Sequence, residues 1–273
     1  MIPQREISKT AEHDRVAERT VEKDYAIHWI MLGLASTPLQ RRLAFKGGTA
    51  LRVCYFTRYR YSEDIDLTAL DAVTKDETFQ AFAQAVEWVR RESAIQTGVI
   101  AESFDQHTDG FSFEVTYTGP LGAMAGRRSI KVDISTSERV LFHVEERRAN
   151  KHYTDLPKKP EICCYALDEI VCEKFRSLLN PARREPRDVY DLWYLFDRGG
   201  ADVERIRSEF RAKAEFKKLD PAALVETIAR KEKALAALWE KRLVNQIADL
   251  PRIETAFKRT EREARTLTDV RRR

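Results

Sequence analysis

The chain has 273 residues, 43% of them apolar and 10% aromatic, which is enough to fill the core of one large domain or two modest ones and excludes a disordered chain. No apolar run approaches the roughly 20 residues that cross a bilayer. The longest candidate, Tyr25 to Ala35, is interrupted by His28, and Met1-Ile2-Pro3-Gln4-Arg5 leads into no apolar stretch, so neither a membrane segment nor a signal peptide is expected and the location is read as cytoplasmic. Net charge is only +4.

In chain order, Val16, Thr20/Val21, Ile27, Ile30/Met31 and Leu34 recur near helical spacing and predict an amphipathic helix from about Glu12 to Leu34. Leu43-Ala44-Phe45 is a short apolar stretch that stops at Gly47-Gly48. A helix follows from Thr49 to about Arg58, with Thr49 placed to cap it. Asp64 to Leu70 reads as a strand, and Thr78 to Arg91 as a helix with Phe79, Phe82, Val86 and Val89 on one side. Val99 to Phe104, Phe111 to Tyr117 and Ser129 to Ser135 are three further strands. Helices and strands mixed in this way predict an α+β domain with a mixed sheet.

From about Leu167 the texture changes to long, charged, helix-forming segments: Asp168 to Asn180, Pro186 to Asp197, Asp202 to Lys213, Pro221 to Gln246 and Pro251 onward. Pro221 and Pro251 suit first-turn positions. Pro157 and Pro160 break the pattern, so the boundary is set between a first domain, 1–158, and a helical domain, 159–273. Cys54, Cys163, Cys164 and Cys172 fit no zinc spacing and read as small buried side chains. The histidines form no HExxH pair, which excludes the usual zinc hydrolases. Residues 251–273 hold eight Arg or Lys against four Asp or Glu and end in Arg271-Arg272-Arg273. Such a stretch is either a seat for a polyanion or a solvated helix face.

The chemistry concentrates in Ser62-Glu63-Asp64-Ile65-Asp66-Leu67. Side chains alternate along a strand, so Ile65 and Leu67 can enter a core while Asp64 and Asp66 share the opposite face. Two carboxylates side by side repel, unless a divalent cation bridges them or water solvates them. Ile130-Lys131-Val132-Asp133-Ile134 repeats the pattern, with Lys131 and Asp133 on the polar face. A third carboxylate would complete a cage for metal ions of the kind that clamp both oxygens of a phosphoryl displacement. Upstream, Lys46-Gly47-Gly48-Thr49 sits at a strand-to-helix junction. There bare glycines let backbone N–H groups approach an anion, and the helix start adds partial positive charge. The GxxxxGK[ST] spacing is absent. A glycine turn, then a strand with two acids, then a later strand with a third resembles the nucleotidyltransferase fold of the polymerase-beta type.

In the helical half the stripe Leu167, Ile170/Val171, Leu178 has Lys174 at its centre. A cation there either takes an anionic partner, such as nucleotide phosphates, or snorkels to the rim. Asp188 and Asp191 lie three apart on the next helix, where simple i/i+4 pairing with Arg184 and Arg187 is the structural alternative.

Together, Lys46-Gly47-Gly48-Thr49-Ala50-Leu51-Arg52, the Asp64/Asp66 strand, the Asp133 strand, Glu173-Lys174 with Arg176, and Arg187-Asp188-Val189-Tyr190-Asp191-Leu192 resemble the AbiEii/AbiGii toxin family of nucleotidyltransferases, which includes the MenT toxins. The resemblance covers about residues 40 to 200. It implies a toxin held in check by an antitoxin and a transfer of NMP from NTP to RNA, in family members to the acceptor end of tRNA. The alternatives are a nucleotidyltransferase acting on a protein or a small molecule, or a non-catalytic RNA- or partner-binding module on the same fold, which the clustered acids argue against. Carried over by position, it implies that Lys46, Gly47, Gly48, Thr49 and Lys131 hold the nucleotide. Asp64, Asp66 and Asp133 would hold Mg²⁺ or Mn²⁺, Lys174 would contact phosphates, and Asp191 would be a catalytic acid or base alongside Asp64 and Asp66. The usual Gly-Ser pair is Gly48-Thr49 here, which keeps the hydroxyl. Arg183, Arg184, Arg187 and the stretch from Arg262 to Arg273 are expected to guide RNA.

Overall fold

In a computed structural model, which describes residues 1–122 and 128–269, the alternation read from the two acidic strands is the alternation that folds. Ile65, Leu67, Ile130, Val132 and Ile134 are fully buried, while Asp64, Asp66 and Asp133 keep partial exposure on the other face. Seven strands form one mixed sheet: β1 (Leu43–Lys46), β2 (Ile65–Ala69), β3 (Gln96–His107), β4 (Gly110–Thr118), β5 (Arg128–Ser135), β6 (Glu145–Arg147) and β7 (Ile162–Cys164). Their order across the sheet is β3-β4-β5-β2-β1-β7-β6. The β2–β5 and β1–β7 pairs are parallel and the others antiparallel.

The expected helix from Glu12 to Leu34 is two helices, α1 (Gln4–Asp14) and α2 (Glu18–Leu34), parted at Arg15 in the left-handed region. Nor is α2 amphipathic: thirteen of its seventeen residues are buried, among them Glu22, Asp24 and His28. A helix buried all round contains ionisable groups only when they are paired. Asp24 meets that condition, as described below. α4 (Lys75–Ser93) packs against α2 and starts three residues earlier than expected. Its start is set by a reciprocal capping box between Thr74 and Glu77. The expected helix from Thr49 is instead a short α-turn, α3 (Gly47–Ala50), running into a π-helical turn, Leu51–Tyr55. Lys46 stands at its cap position and Thr49 lies inside it.

The chain divides into two units. The first comprises Met1–Glu138, His143–Tyr165 and Asn245–Ala248; the second comprises Arg139–Phe142, Ala166–Val244 and Asp249–Arg273. The division therefore falls at 165/166, seven residues beyond the expected 158/159. The reason is β7, which pairs with β1 through Phe45 and Cys164 and so belongs to the sheet. Residues 245–248 return to the sheet unit, where the Tyr61 N–H donates to the Gln246 carbonyl at 2.9 Å.

The second unit is helical: α5 (Leu167–Leu179), α6 (Pro186–Asp197), α7 (Arg207–Phe216), α8 (Leu224–Leu243) and α9 (Ile253–Thr268). α5 packs on α6, α7 and α8, and α6 packs on α8 and α9. α9 buries Ala256, Phe257, Thr260, Ala264 and Leu267 along one stripe, so the basic C-terminal stretch is a docked helix up to Thr268. Arg271, Arg272 and Arg273 lie outside the described residues. Within α5 and α7 the fully buried Lys213 is ion-paired to Glu169 and lies 3.5 Å from Glu173. The other Glu169 oxygen accepts the N–H groups of Leu141 and Phe142 at 2.9 and 2.8 Å, which fixes that crossing segment in the helical unit.

Candidate active site

Directly opposite residues in adjacent strands share a face and approach within about 5 Å. One such row crosses the centre of the sheet: Lys46 on β1 pairs with Asp66 on β2, Asp66 with Asp133 on β5, and Asp133 with Ser112 on β4. Two carboxylates thus meet in adjacent strands with a lysine on one flank and a serine on the other. The Lys46 ammonium donates to the Ser135 hydroxyl at 3.0 Å. Lys131 lies 3.4 Å and His107 3.8 Å from Oδ2 of Asp133. Asp64, one residue before β2, accepts a 2.6 Å hydrogen bond from the Thr49 hydroxyl at its backbone carbonyl.

The glycine turn is fitted to this row. Gly47 has φ +75, a conformation costly for a residue with a side chain, and a Cβ there would stand 2.9 Å from Oδ2 of Asp66. Gly47 thus makes room for the Asp66 carboxylate. Gly48 makes room for a different group, since a Cβ there would stand 2.1 Å from Nη2 of the buried Arg60. Thr49 is 1% exposed with its hydroxyl directed at Asp64. That hydroxyl braces the turn against the acidic strand.

Behind the turn lies a buried polar cluster. Asp24 accepts from Arg52 Nε and from the Tyr153 hydroxyl, both at 2.7 Å. Arg52 donates to the Tyr59 carbonyl at 2.7 Å and stacks on Tyr61 with its guanidinium 3.6 Å from the ring centre. Burial on its own would raise the Asp24 carboxyl, but Arg52, His28 and His152 outweigh it and lower it to about 2. Burial pushes the His152 imidazole down to about 4, and it also lowers His28. Arg52 lies four residues beyond Gly48, so this cluster anchors the C-terminal side of the turn.

The helical unit holds the other residues expected at the site. Lys174 is nearly buried and bridges two carboxylates of α6, Asp188 at 2.9 Å and Asp191 at 2.6 Å. Asp188 also takes Arg183 at 2.7 Å. Burial would raise the Asp188 carboxyl, yet Lys174 and then Arg183 hold it below the ordinary range. The anionic partner demanded by a cation in an apolar stripe is thus supplied from the next helix. The alternative partners, Arg184 for Asp188 and Arg187 for Asp191, give way to Arg183 and Lys174, and Arg187 pairs with Glu185 at 3.2 Å. On α9, Arg259 and Arg265 pair with Glu263 and Glu261 one turn away, so part of the expected basic surface is internally neutralised.

Among the described residues, no three of His, Cys, Asp and Glu converge closely enough to enclose a metal ion. The donor set nonetheless fits magnesium, which binds through one or two carboxylates and takes its remaining oxygens from water and substrate phosphates. Asp66 and Asp133 would hold such an ion, with Asp64 adjoining on the same strand face.

Residues 29–260 match the family model of the nucleotidyl transferase AbiEii toxins of type IV toxin–antitoxin systems. The chain belongs to that family. AbiEii proteins are nucleotidyltransferases, so this one is an enzyme and the toxin of a toxin–antitoxin pair. The match extends beyond the 40–200 span of the motifs, taking in α8 and the first half of α9. Its fold is that of MenT4, a nucleotidyltransferase toxin of Mycobacterium tuberculosis H37Rv. The likeness covers 100% of this chain and 91% of that one, with a TM-score of 0.69 and 20% identity. JHP933 of Helicobacter pylori is also similar, with a TM-score of 0.55, 18% identity and 93% of each chain covered. At these identities the likeness is one of fold. No curated protein matches the sequence. Among the described residues of this AbiEii protein, no helix is long and apolar enough to cross a membrane.

Two residues at the site carry no local motif. His107 stands beside Asp133 because the β3–β4 hairpin brings it there, and Arg60 lies against Gly48 because the chain doubles back before β2.

Proposed function

We propose that this AbiEii protein transfers NMP from a magnesium- or manganese-bound NTP to an RNA acceptor, the 3′ end of tRNA, and so blocks translation in the cytoplasm until its antitoxin intervenes. The observation that carries the reading is the paired register of Asp66 and Asp133 beside a glycine turn shaped around the Asp66 carboxylate. A divalent cation held there supplies charge neutralisation on the transferred phosphoryl group. The protein's own part is positioning. The Gly47–Gly48 turn receives the triphosphate, Lys46 and Lys131 flank the acids with positive charge, and Asp64 and Asp66 accept the proton of the attacking hydroxyl. For Lys174 and Asp191 the reading is a phosphate contact and a proton carrier. The family motif supports those roles, while inside the helical unit the two residues are engaged with each other.

The test is incubation of the purified protein with total RNA and each labelled NTP in turn, with and without Mg²⁺ or Mn²⁺. Label in the tRNA band from one or two of the four NTPs is the expected result. Label in protein or in a small molecule overturns the RNA assignment, and no incorporation with any acceptor overturns the reading as a whole. Deleting residues 262–273 and, separately, replacing Arg183 and Arg184 by Ala should each lower the salt slope of RNA binding, by roughly one unit for every phosphate that the variant no longer neutralises.

A further inference from the structure

Gly48 adopts an ordinary helical conformation inside α3, unlike Gly47, so its bareness is not required by the backbone. What requires it is Arg60. A Cβ on Gly48 would stand 2.1 Å from Nη2, 2.8 Å from Cζ and 3.2 Å from Nη1, so the guanidinium occupies the space a side chain would fill. Arg60 is 3% exposed, with Nη1 donating to the Tyr61 carbonyl at 3.1 Å and to Oε1 of Gln246 at 3.4 Å. Gln246 in turn lies 3.4 Å from Glu63, and the ring of Tyr59 lies 5.6 Å from the guanidinium. A flexible side chain is here tied in one orientation, with one edge of its fork against the glycine turn.

We propose that Arg60 is the phosphate-binding cation of the glycine turn: Gly48 lacks a side chain so that this guanidinium can meet the nucleoside triphosphate. The proposal rests on the reading that the turn receives the triphosphate. Two neighbouring glycines then have separate tasks. Gly47 admits the Asp66 carboxylate and Gly48 admits the Arg60 cation, which sets acid and base side by side along a four-residue turn. A planar guanidinium suits this place because it offers donors in a fork that matches two phosphate oxygens and stays protonated throughout the working pH range.

The experiment is a double-mutant cycle on the full chain with Gly48→Ala, Arg60→Ala and the double variant. Equilibrium dialysis of each of the four NTPs gives Kd, and thermal melting is recorded on the same samples. Each single variant is expected to weaken nucleotide binding about tenfold or more, raising KM more than it lowers kcat, and the double variant no further than either single, because both remove the same interaction. Gly48→Ala should also melt lower than wild type, and removing the guanidinium in the double variant should recover part of that loss. Stability thus returns while affinity does not. Arg60→Lys, which keeps charge without the fork, should fall between wild type and Arg60→Ala.

If affinity returns together with melting temperature in the double variant, Arg60 is only a space-filling brace and the proposal fails. It fails equally if Arg60→Ala binds NTP like wild type. A wild-type protein that binds none of the four NTPs overturns the assignment of the turn itself, and the Arg60 proposal with it.

Discussion

Asp66 and Asp133 stand directly opposite one another across the parallel ladder between β2 and β5, although 66 residues of chain separate them. Two carboxylates at that spacing repel unless positive charge offsets them, a task the proposed function gives to a divalent cation together with Lys46 and Lys131. Asp66→Asn or Asp133→Asn should therefore leave the melting temperature unchanged or raise it, while transfer falls on the order of a thousandfold or more. Melting and transfer measured on one preparation check this. A marked loss of stability would make the pair a structural element.

Gly47→Ala tests the fit of turn and strand. A side chain at φ +75 costs about 1–2 kcal/mol, and the new methyl presses on the Asp66 carboxylate. Chemical denaturation should show that loss. Magnesium should stabilise the variant less than it stabilises wild type, because the displaced carboxylate binds it more weakly.

For Lys174→Met the geometry reverses a simple expectation. A lone buried cation is a burden on the fold, and its removal would help. This one bridges Asp188 and Asp191, both within the core of the helical unit. Removing the shared partner of two buried carboxylates should cost about 3–5 kcal/mol. Denaturant unfolding gives the value, and a variant as stable as wild type would show that the carboxylates protonate or find water.

The cluster behind the turn predicts acid sensitivity in a defined sense. His152 is depressed from 6.5 to about 4, so the unfolded chain binds its proton first as pH falls, and stability is lost between those values. Asp24 is depressed from 3.8 to about 2, so its contribution is present above 3.8 and is lost as pH falls toward 2. Melting temperature should fall in two stages over these windows. His152→Gln should shrink the first stage, leaving the share that the lowered His28 contributes, and should preserve the second.

Much of the acidic centre was legible in advance because it is local. Ile65 and Leu67 alternate with Asp64 and Asp66 within four residues, and β5 repeats the pattern. The facing register of Asp66 and Asp133 was not legible, because strand pairing across a long crossover leaves no mark in either strand. β6 and β7 have three residues each, too few to show a period. The break at Arg15 has neither glycine nor proline to announce it. Lys174 did announce an anionic partner by sitting in an apolar stripe. The identity of that partner depends on how α5 packs on α6, so the nearer arginines of Asp188 and Asp191 were a poor guide. Thr49 had the composition of a cap, but its hydroxyl answers to Asp64, fifteen residues away.

The return of residues 245–248 to the sheet unit bears on the order in which a growing chain becomes complete. Asp64 and Asp66 leave the ribosome well before Gln246, yet Tyr61 takes its backbone partner, and Arg60 one of its tethers, from Gln246. At the usual pace of synthesis that interval is on the order of ten seconds or more. A nascent chain, or one cut short after β7, carries all three acids without the last clasp beside the glycine turn. Completion of the candidate site in this toxin is thereby deferred until Gln246 has been made.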